Sequence, residues 1–228
     1  MLLMKLDLHT HTYFSSDAIA SPSDLIKAAK SKGLGGIAIT DHNTTKSWKS
    51  ITGAGKKEKI HVILGEEIKV FHEGSKIGEV IGLFLNEEIK PGEFLVVKDR
   101  IKEQGGIMVI AHPFDYFRNS FKRLEDFKKY ADAVEAFNSR AVFNWFNKKA
   151  FEFAQKNNIA MTAGTDAHCA YEIGNAYTIA DIDEIEDLRK FIKKKKTTVC
   201  GKKANPLIHL VSTLSNLGII GRNRPKSY

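Results

Sequence analysis

The chain has 228 residues, of which 43% are hydrophobic and 27% are charged, so it is long enough for one full-sized core and too apolar to be intrinsically disordered. Its 17 glycines and 5 prolines exclude collagen-like and low-complexity architectures. The formal net charge of +8 is concentrated at the C-terminal end, because residues 189–228 contain eleven Lys or Arg and no Asp or Glu.

Short apolar segments alternate with amphipathic segments along the chain. In chain order we predict strands at 2–9, 36–40, 61–71, 79–85, 107–111, 133–137, 160–164 and 176–180, and helices at 22–32, 92–104, 121–130, 141–157, 185–195 and 206–217. A turn at 73–75 folds the third strand back into the fourth. This βα repeat favours a parallel barrel of the triosephosphate-isomerase kind, although periodicity alone leaves an open doubly wound sheet nearly as well supported.

The composition also bears on location and partners. No apolar run approaches the ~20 residues of a membrane-spanning helix, and no secretory signal opens the chain. Cys169 and Cys200 are too few for a disulfide framework, so we expect a cytoplasmic protein without membrane contact. The basic C-terminal segment suits a phosphate-bearing partner, nucleic acid included, but a solvated helix surface is the simpler explanation for residues 193–196.

Five of the eight histidines lie where a predicted strand ends: His9, His11, His42, His112 and His168. Carboxylates accompany them, and strand ends of a parallel barrel form one rim on which the loops converge. Such a cluster of carboxylates would repel unless cations held it together. Imidazole with carboxylate and no thiolate suits Zn, Mn or Fe, so the sequence predicts a metal centre on this rim.

The motifs Asp-x-His-x-His, Thr-Asp-His, Gly-x-Glu, Ala-His-Pro and Gly-Thr-Asp-Ala-His follow one another from Asp7 to His168. In that order they resemble the PHP (polymerase and histidinol phosphatase) family. The resemblance implies an α/β fold, a distorted (β/α)7 TIM-like barrel in a single domain, and hydrolysis of phosphoesters at two or three metals. Residues 1–218 would form the barrel with its C-terminal helix, and residues 219–228 a basic tail whose order is left open.

The resemblance also implies three metal sites. The first would use His9, His11, Glu67 and Asp166, the second Asp17, His42 and His168, and the third His112 with Glu67 as a bridging ligand. Glu67 is preferred to Glu66 because the family's glutamate directly precedes an aliphatic residue. Strand alternation sends these two glutamates to opposite faces, so only one is expected to reach the metals.

Glu79 departs from the family pattern, because many members have His-x-x-Gly-x-Phe where this chain has Glu79-Val80-Ile81-Gly82-Leu83-Phe84. Carboxylate binds Mn, Fe or Mg as well as imidazole does, so the third site either persists with a harder metal preference or weakens. An exposed position on a hairpin strand is an equally simple explanation for Glu79. The expected cofactors are therefore two or three divalent ions of Zn, Mn or Fe.

His112, Arg140 and Asp166 are the expected catalytic residues. Family members often carry a basic residue near the position of Arg140, which would hold phosphate oxygens, although an exposed helix start explains it nearly as well. His112 or metal-bound water would protonate the leaving group. Asp7 and Asp41 are expected to accept the second ring N–H of adjacent ligand histidines.

The remaining histidines, His61, His72 and His209, are not expected to reach the rim. The aromatic residues after His112, namely Phe114, Tyr116, Phe117 and Phe121, would stack a base or close a lid, but core packing is the simpler explanation.

The predicted function is hydrolysis of a phosphorylated small molecule, a nucleotide or a nucleic-acid phosphoester by metal-activated hydroxide. The alternative is a non-catalytic PHP-like subunit that binds nucleic acid or a protein partner. The near-complete ligand set favours the enzyme.

Overall fold

The structure is a computed structural model that describes residues 3–118 and 120–220. Within these residues the elements are β1 (Leu3–Thr10), α1 (Pro22–Ser31), β2 (Gly36–Ile39), α2 (Trp48–Glu58), β3 (His61–His72), β4 (Ser75–Leu83), β5 (Gly92–Glu93), α3 (Phe94–Glu103), β6 (Ile107–Ile110), α4 (Leu124–Phe127), β7 (Ala133–Asn138), α5 (Asn144–Lys156), β8 (Ala160–Gly164), β9 (Ala176–Asp181), α6 (Asp187–Lys193), β10 (Thr198–Gly201) and α7 (Ile208–Asn216). Two short 3-10 helices lie at Lys128–Tyr130 and Ala170–Glu172.

The strands form one sheet in the order β10-β9-β1-β2-β3-β4-β6-β7-β8, with β5 added beside β3. β1, β2 and β3 are parallel, as are β6, β7 and β8, whereas β4 is antiparallel to both of its neighbours and β9 to β1. The hydroxyl of Thr178 on β9 joins it to β8, because it accepts from Ala163 N and donates to Ala163 O. The sheet is therefore nearly closed, and the predicted distorted barrel is confirmed.

The core has an inner and an outer part. One apolar cluster draws a residue from almost every strand and fills the barrel, as Leu6, Ile81 and Val109 do. The helices cover the outside: α1 packs Leu25 and Ile26 against β2 in a second cluster, and α3 belongs to a third. The apolar clusters do not extend to the end of the barrel at which the predicted histidine and carboxylate ligands lie. The loops that follow the strands meet at this end.

The observed elements differ from the prediction mainly in four places, and the remaining elements differ only in their bounds. Helix α2 and strand β10 were not predicted. The predicted helix at 121–130 is reduced to α4 and a 3-10 turn, because Arg123 has a positive φ of 57° and Phe121 N donates to Pro113 O instead of starting a helix. The predicted helix at 92–104 begins two residues later, since Gly92 and Glu93 pair with β3.

Two further observations concern the ends of the chain and the membrane. No helix in residues 3–118 and 120–220 is long and apolar enough to cross a bilayer. Of the predicted basic tail, residues 221–228 lie outside the described residues.

Candidate metal centre

The predicted ligands converge at one end of the barrel. Asp17, His42, His112, Asp166 and His168 lie on loops that follow strands, His9 and His11 lie at the end of β1, and Glu67 and Glu79 lie on the β3–β4 hairpin. Two backbone hydrogen bonds tie the loop after β8 to β1, from Asp166 N to His9 O (2.7 Å) and from His11 N to Ala167 O (2.8 Å). His112 and Asp166 have positive φ angles of 26° and 56°. Such backbone strain is often found at functional sites.

The first group contains the four residues that the family resemblance assigns to one metal. His9 Nε2 lies 3.4 Å from Glu67 Oε2 and 3.7 Å from Asp166 Oδ1, and His11 Nε2 lies 3.5 Å and 3.3 Å from the same two oxygens. All four side chains are almost fully buried. Two nitrogens and two oxygens therefore face one another around a common centre.

The second group lies beside the first; its Asp17 and His42 are partly exposed, whereas His168 is buried. Asp17 Oδ2 is 3.5 Å from His42 Nε2 and 3.1 Å from His168 Nε2. The other nitrogen of His42, Nδ1, is 2.9 Å from Glu67 Oε2. The two groups are thus joined through Glu67.

The third group places Glu79 in the site. Glu67 Oε1 is 3.0 Å from His112 Nε2, and Glu79 Oε2 is 3.9 Å from the same nitrogen. Glu79 is 3% exposed and accepts a hydrogen bond from Lys76 Nζ at 3.0 Å, so it is not the exposed hairpin residue of the alternative explanation. Glu66 faces the other way, as strand alternation requires, and accepts from Ile89 N.

These residues fit divalent metals by two tests. Three overlapping sets each bring donor atoms within 4.8 Å of one another: His9, His11 and Glu67; His11, His42 and His168; Glu67, Glu79 and His112. Two donors bound at ~2.1 Å to one tetrahedral ion would be ~3.4 Å apart, which matches the separations in the first group. The buried Nε2 atoms of His9 and His11 also form no hydrogen bond within the described part of the chain. Polar atoms buried in this way need another partner, and an ion would supply it.

Burial and mutual charge shift the pKa values in this cluster. Burial favours the neutral form of Glu67, but the rings of His42 and His9 outweigh it and hold its pKa well below the usual range. Burial opposes a charge on His9 as well, yet Asp166 and Glu135 raise its pKa well above the usual range. Burial, together with His42, lowers the pKa of His11 to about 3, which leaves that ring neutral. Protons on His9 would thus give way to a metal, so we expect metal binding to release protons.

Glu135 orients His9, a role that sequence reasoning missed. Its Oε1 lies 2.9 Å from His9 Nδ1, and its Oε2 accepts from His112 N and from Asn138 Nδ2. The prediction that Asp7 would do this is wrong, because Glu135 takes that position at His9 Nδ1. The Asp7 carboxylate accepts from Thr165 N and Oγ1 instead, and from the backbone N of His9 at 3.4 Å.

Asp41 differs from its prediction in the same way. It accepts from Thr12 N, Thr12 Oγ1 and Ser15 Oγ, and so braces the loop after β1 rather than an imidazole. Ser15 Oγ in turn lies 3.3 Å from His11 Nδ1. Asp41 is therefore linked to His11 through Ser15.

Arg118 is a second residue that sequence reasoning missed. Its Nη1 donates to Asp166 Oδ2 at 2.6 Å, its Nε to Asp115 Oδ2 and its Nη2 to Asn138 Oδ1. Despite burial, the carboxylates of Asp166 and Asp115 raise the pKa of Arg118 above its ordinary value, so it stays charged. Arg118 lies in an irregular loop after the Ala-His-Pro motif. Such a loop has no hydrophobic periodicity from which the position of Arg118 could be predicted.

Arg140 is buried at 2% exposure rather than exposed at a helix start. Its Nη1 donates to both carboxylate oxygens of Glu172, at 3.1 and 3.2 Å, and its Nη2 donates to Ser212 Oγ on α7. Its buried Nε has no hydrogen-bond partner among the residues that the structure describes.

A cavity of about 310 Å³ opens beside the cluster. It is lined by Asp17, His42, Glu67, Glu79, His112, Phe117, Arg118, Arg140, Asp166, His168, His209, Ser212, Thr213 and Asn216. The expectation that His209 stays away from the rim is therefore wrong, because α7 crosses the barrel mouth. Burial, followed by the charge of Arg140, lowers the pKa of His209 to about 4. His61 begins β3 and His72 packs against Phe127, so neither lines this cavity.

Comparison with known proteins agrees with this geometry. The profile of the PHP domain family matches residues 7–199. A relative from Methanocaldococcus jannaschii, an uncharacterised protein, is 35% identical over 96% of this chain and 91% of its own length. A 5'-3' exoribonuclease of Haemophilus influenzae is 35% identical over 35% of this chain and 28% of its own length.

A solved structure shows the same fold at lower sequence identity. It is a two-domain protein from Bacteroides vulgatus described as containing a predicted PHP-like metal-dependent phosphoesterase, with a TM-score of 0.73 at 18% identity. The alignment covers 88% of this chain and 65% of that one, so this chain spans just under two thirds of its length. With the family match over most of the chain and the ordered His and carboxylate groups on the rim, this chain belongs to the PHP domain family.

Proposed function

We propose that this protein is a metal-dependent phosphoesterase whose centre holds two or three divalent ions of Zn, Mn or Fe. The observation that carries the proposal is that Glu67 belongs to two of the three donor sets and lies 2.9 Å from His42 of the other, beside a cavity that also contains two arginines. The ligands would be His9, His11, Glu67 and Asp166 at the first site, Asp17, His42 and His168 at the second, and His112, Glu67 and Glu79 at the third.

Ions bound there would supply an activated water and stabilise charge on the phosphoryl oxygens. The chain's own residues prepare the site for this chemistry. Glu135 holds the His9 ring so that Nε2 faces Glu67 and Asp166, and Arg118 fixes Asp166 through the carboxylate oxygen that does not face His11. Such outer contacts keep ligands in place and set which nitrogen carries the proton.

Arg118 and Arg140 would bind the phosphate of the substrate. Both line the cavity, and both are held by carboxylates, so their guanidinium groups are oriented before a ligand arrives. The buried Arg140 Nε–H supplies a donor for an incoming oxygen. His112 lines the same cavity and would be the candidate proton donor to the leaving group where the third site holds no ion.

The substrate class that we favour is a nucleotide or a nucleic-acid end, with a small phosphomonoester as the other candidate. The relative in Haemophilus influenzae is an exoribonuclease, although it matches only part of this chain. A volume of about 310 Å³ suits one phosphate group and its immediate neighbours rather than a duplex. We further propose a cytoplasmic location, which the two free cysteines, Cys169 and Cys200, support.

A pair of matched variants tests the proposal. Glu67→Gln removes the shared ligand, whereas Glu66→Gln changes the adjacent buried glutamate on the opposite face of the same strand. Protein purified without chelator would be measured for metal content and for hydrolysis of p-nitrophenyl phosphate and nucleotides with added Mn or Zn. We expect wild type and Glu66→Gln to contain two or three metals and to turn over, and Glu67→Gln to lose both properties.

The alternative function, a non-catalytic subunit, makes the opposite prediction. Wild-type protein without metal and without turnover on any of these phosphoesters would refute the hydrolase and favour a binding role. Metal binding at full occupancy without turnover would also refute the proposed activity, because the ligands would then serve structure alone.

A further inference from the structure

An exposed aromatic surface lies beside the mouth of the cavity, and we call its four residues the aromatic platform: Tyr116, Phe117, Phe143 and Trp145. Their exposures are 60%, 69%, 48% and 44%. Four neighbouring rings of this size are unusual on the surface of a protein and mark a surface that contacts another molecule.

The platform is held in place from below. Phe146 is 2% exposed, and its ring centroid lies 4.2 Å from that of Trp145, 5.7 Å from Tyr116, 5.9 Å from Phe143 and 6.1 Å from Phe117. The loop that carries Tyr116 and Phe117 is anchored next to Asp115, which accepts from Phe117 N and from Val142 N. The rings are therefore oriented before any ligand binds, which lowers the entropic cost of binding.

Lysine accompanies the rings. Lys149 Nζ lies 4.4 Å from the Trp145 centroid and 5.9 Å from that of Tyr116. Lys203 Nζ donates to Val142 O, next to Phe143. Rings interleaved with lysines match the two faces of a single-stranded nucleic acid, whose bases stack and whose phosphates are negative.

The platform is continuous with the proposed catalytic cavity. Phe117 lines that cavity, and the next residue, Arg118, contacts Asp166. A strand whose bases lie on Tyr116 and Trp145 would reach the cavity at Phe117, where its backbone phosphate would meet the two arginines.

We propose that the aromatic platform binds single-stranded nucleic acid by base stacking and leads its end into the cavity. The second half of this statement rests on the proposed phosphoesterase function, whereas the stacking does not. Stacking on exposed rings is tolerant of sequence, so the platform would select single strands over duplexes without selecting particular bases.

Direct binding measurements separate this proposal from the hydrolase. A fluorescein-labelled, 5'-phosphorylated oligo(dT) would be titrated with protein in EDTA, where no turnover occurs, and followed by anisotropy. We expect Phe117→Ala and Trp145→Ala each to raise Kd by about 5- to 150-fold, the range that loss of one base–aromatic stack produces. Leu95→Ala is the matched control, because Leu95 is also 44% exposed but lies on α3, and it should leave Kd unchanged.

The two tryptophans supply a second readout. Trp48 is half-buried with its Nε1 donating to Gly65 O, so quenching of indole fluorescence by unlabelled oligo(dT) would report on Trp145. Trp145→Phe should keep the affinity within about 3-fold, since a phenyl ring still stacks, while most of the quenching disappears.

Three results would overturn the proposal. The first is wild-type affinity in both alanine variants, and the second is an equal loss in Leu95→Ala. The third is a wild-type dimer, detected by sedimentation, that both alanine variants dissociate without a change in oligo(dT) affinity, since the platform would then be an interface between copies. If the alanine variants lose oligo(dT) affinity but the wild-type protein hydrolyses no phosphoester, the proposal for the aromatic platform is supported and only the proposed hydrolase activity is refuted.

Discussion

Gly164→Ala should disable the first metal group without replacing any ligand. Gly164 ends β8, two residues before Asp166, and passes directly against β1. A Cβ built on Gly164 would lie 2.4 Å from His9 Cβ and 2.7 Å from His9 N, where ordinary van der Waals contact begins at 3.4 Å. The backbones of β1 and β8 would therefore have to separate by about 1 Å.

The size of the effect follows from that displacement. Overpacking of this kind costs about 1–3 kcal/mol of unfolding free energy. For a chain of this length that lowers Tm by about 2–12 °C, at about 2–4 °C per kcal/mol. Metal ligation tolerates errors of only about 0.2 Å, so a shift of His9 relative to Asp166 should also weaken metal binding by at least about 10-fold.

The matched control is Gly53→Ala. Gly53 is exposed on α2 with no atom within 4 Å of the added Cβ, so the substitution should raise helix stability by about 0.5–1 kcal/mol. Thermal unfolding in EDTA measures the packing cost, and calorimetric titration with Zn or Mn measures the affinity. If Gly164→Ala matched wild type in both measurements, the close approach of β8 to His9 would not govern the centre.

Three further predictions concern residues around the centre. Burial raises the pKa of Glu66 to about 7 from an ordinary 4.5, so the ionisation of this side chain opposes folding as pH rises. Glu66→Gln removes the ionisable group, and its free energy of unfolding should therefore rise relative to that of wild type between pH 4.5 and 7, by up to about 3 kcal/mol, and then stay level. Urea unfolding in EDTA measures this difference. A difference that stays constant with pH would contradict a buried, titrating Glu66. Glu135→Gln should lower metal affinity by about 10- to 100-fold in calorimetric titration, because His9 loses the acceptor that fixes its ring, and unchanged affinity would remove Glu135 from that role. Arg118→Ala should lower kcat/KM for phosphoesters by about 100-fold or more, whereas Arg100→Ala, which removes an exposed arginine paired with Glu103, should not; equal effects would argue against phosphate binding by Arg118.

The ligand residues at the strand ends were predictable because the hydrophobic pattern of the strands and the topology of a parallel barrel both place these residues on one rim. Apolar runs such as Gly36–Ile39 are buried throughout, as parallel strands covered on both faces should be. The residues that follow them, His42 and His112 among them, therefore emerge on one rim. Strict alternation along β3 also separated Glu66 from Glu67, because β3 and β4 pair in regular register around those residues.

The partner of the His9 ring was not predictable from β1 alone. Alternation places Asp7 and His9 on one face, but the Asp7 carboxylate accepts from Thr165 and the Nδ1 of His9 lies against Glu135, and both partners come from later parts of the chain. Glu135 and Arg118 were missed for a related reason: each contacts residues that are distant in the chain, as the sequence separation of 126 between His9 and Glu135 illustrates.

Helix α2 and strand β10 were missed because their sequences are atypical for their structures. α2 contains Gly53 and Gly55, which lower helix propensity. Gly55 is nevertheless needed, since a Cβ there would lie 2.5 Å from Val62 Cγ2 of β3. β10 has only four residues, follows a lysine run and is mostly exposed, so its pairing with β9 leaves no alternating pattern.

The parts of the site that would choose a substrate lie apart from the parts that would hold metals. The ligand motifs all lie within residues 7–199, the segment that the PHP family shares, whereas α7 begins at Ile208. Yet α7 supplies His209 and Ser212 to the cavity, and Ser212 Oγ accepts from Arg140 Nη2. Because residues of α7 line the cavity beside Arg140, the position of this helix would decide how far the phosphate of the proposed substrate can approach Arg140. Two chains with the same metal ligands but different C-terminal helices should therefore share metal chemistry and differ in the phosphoesters that they accept.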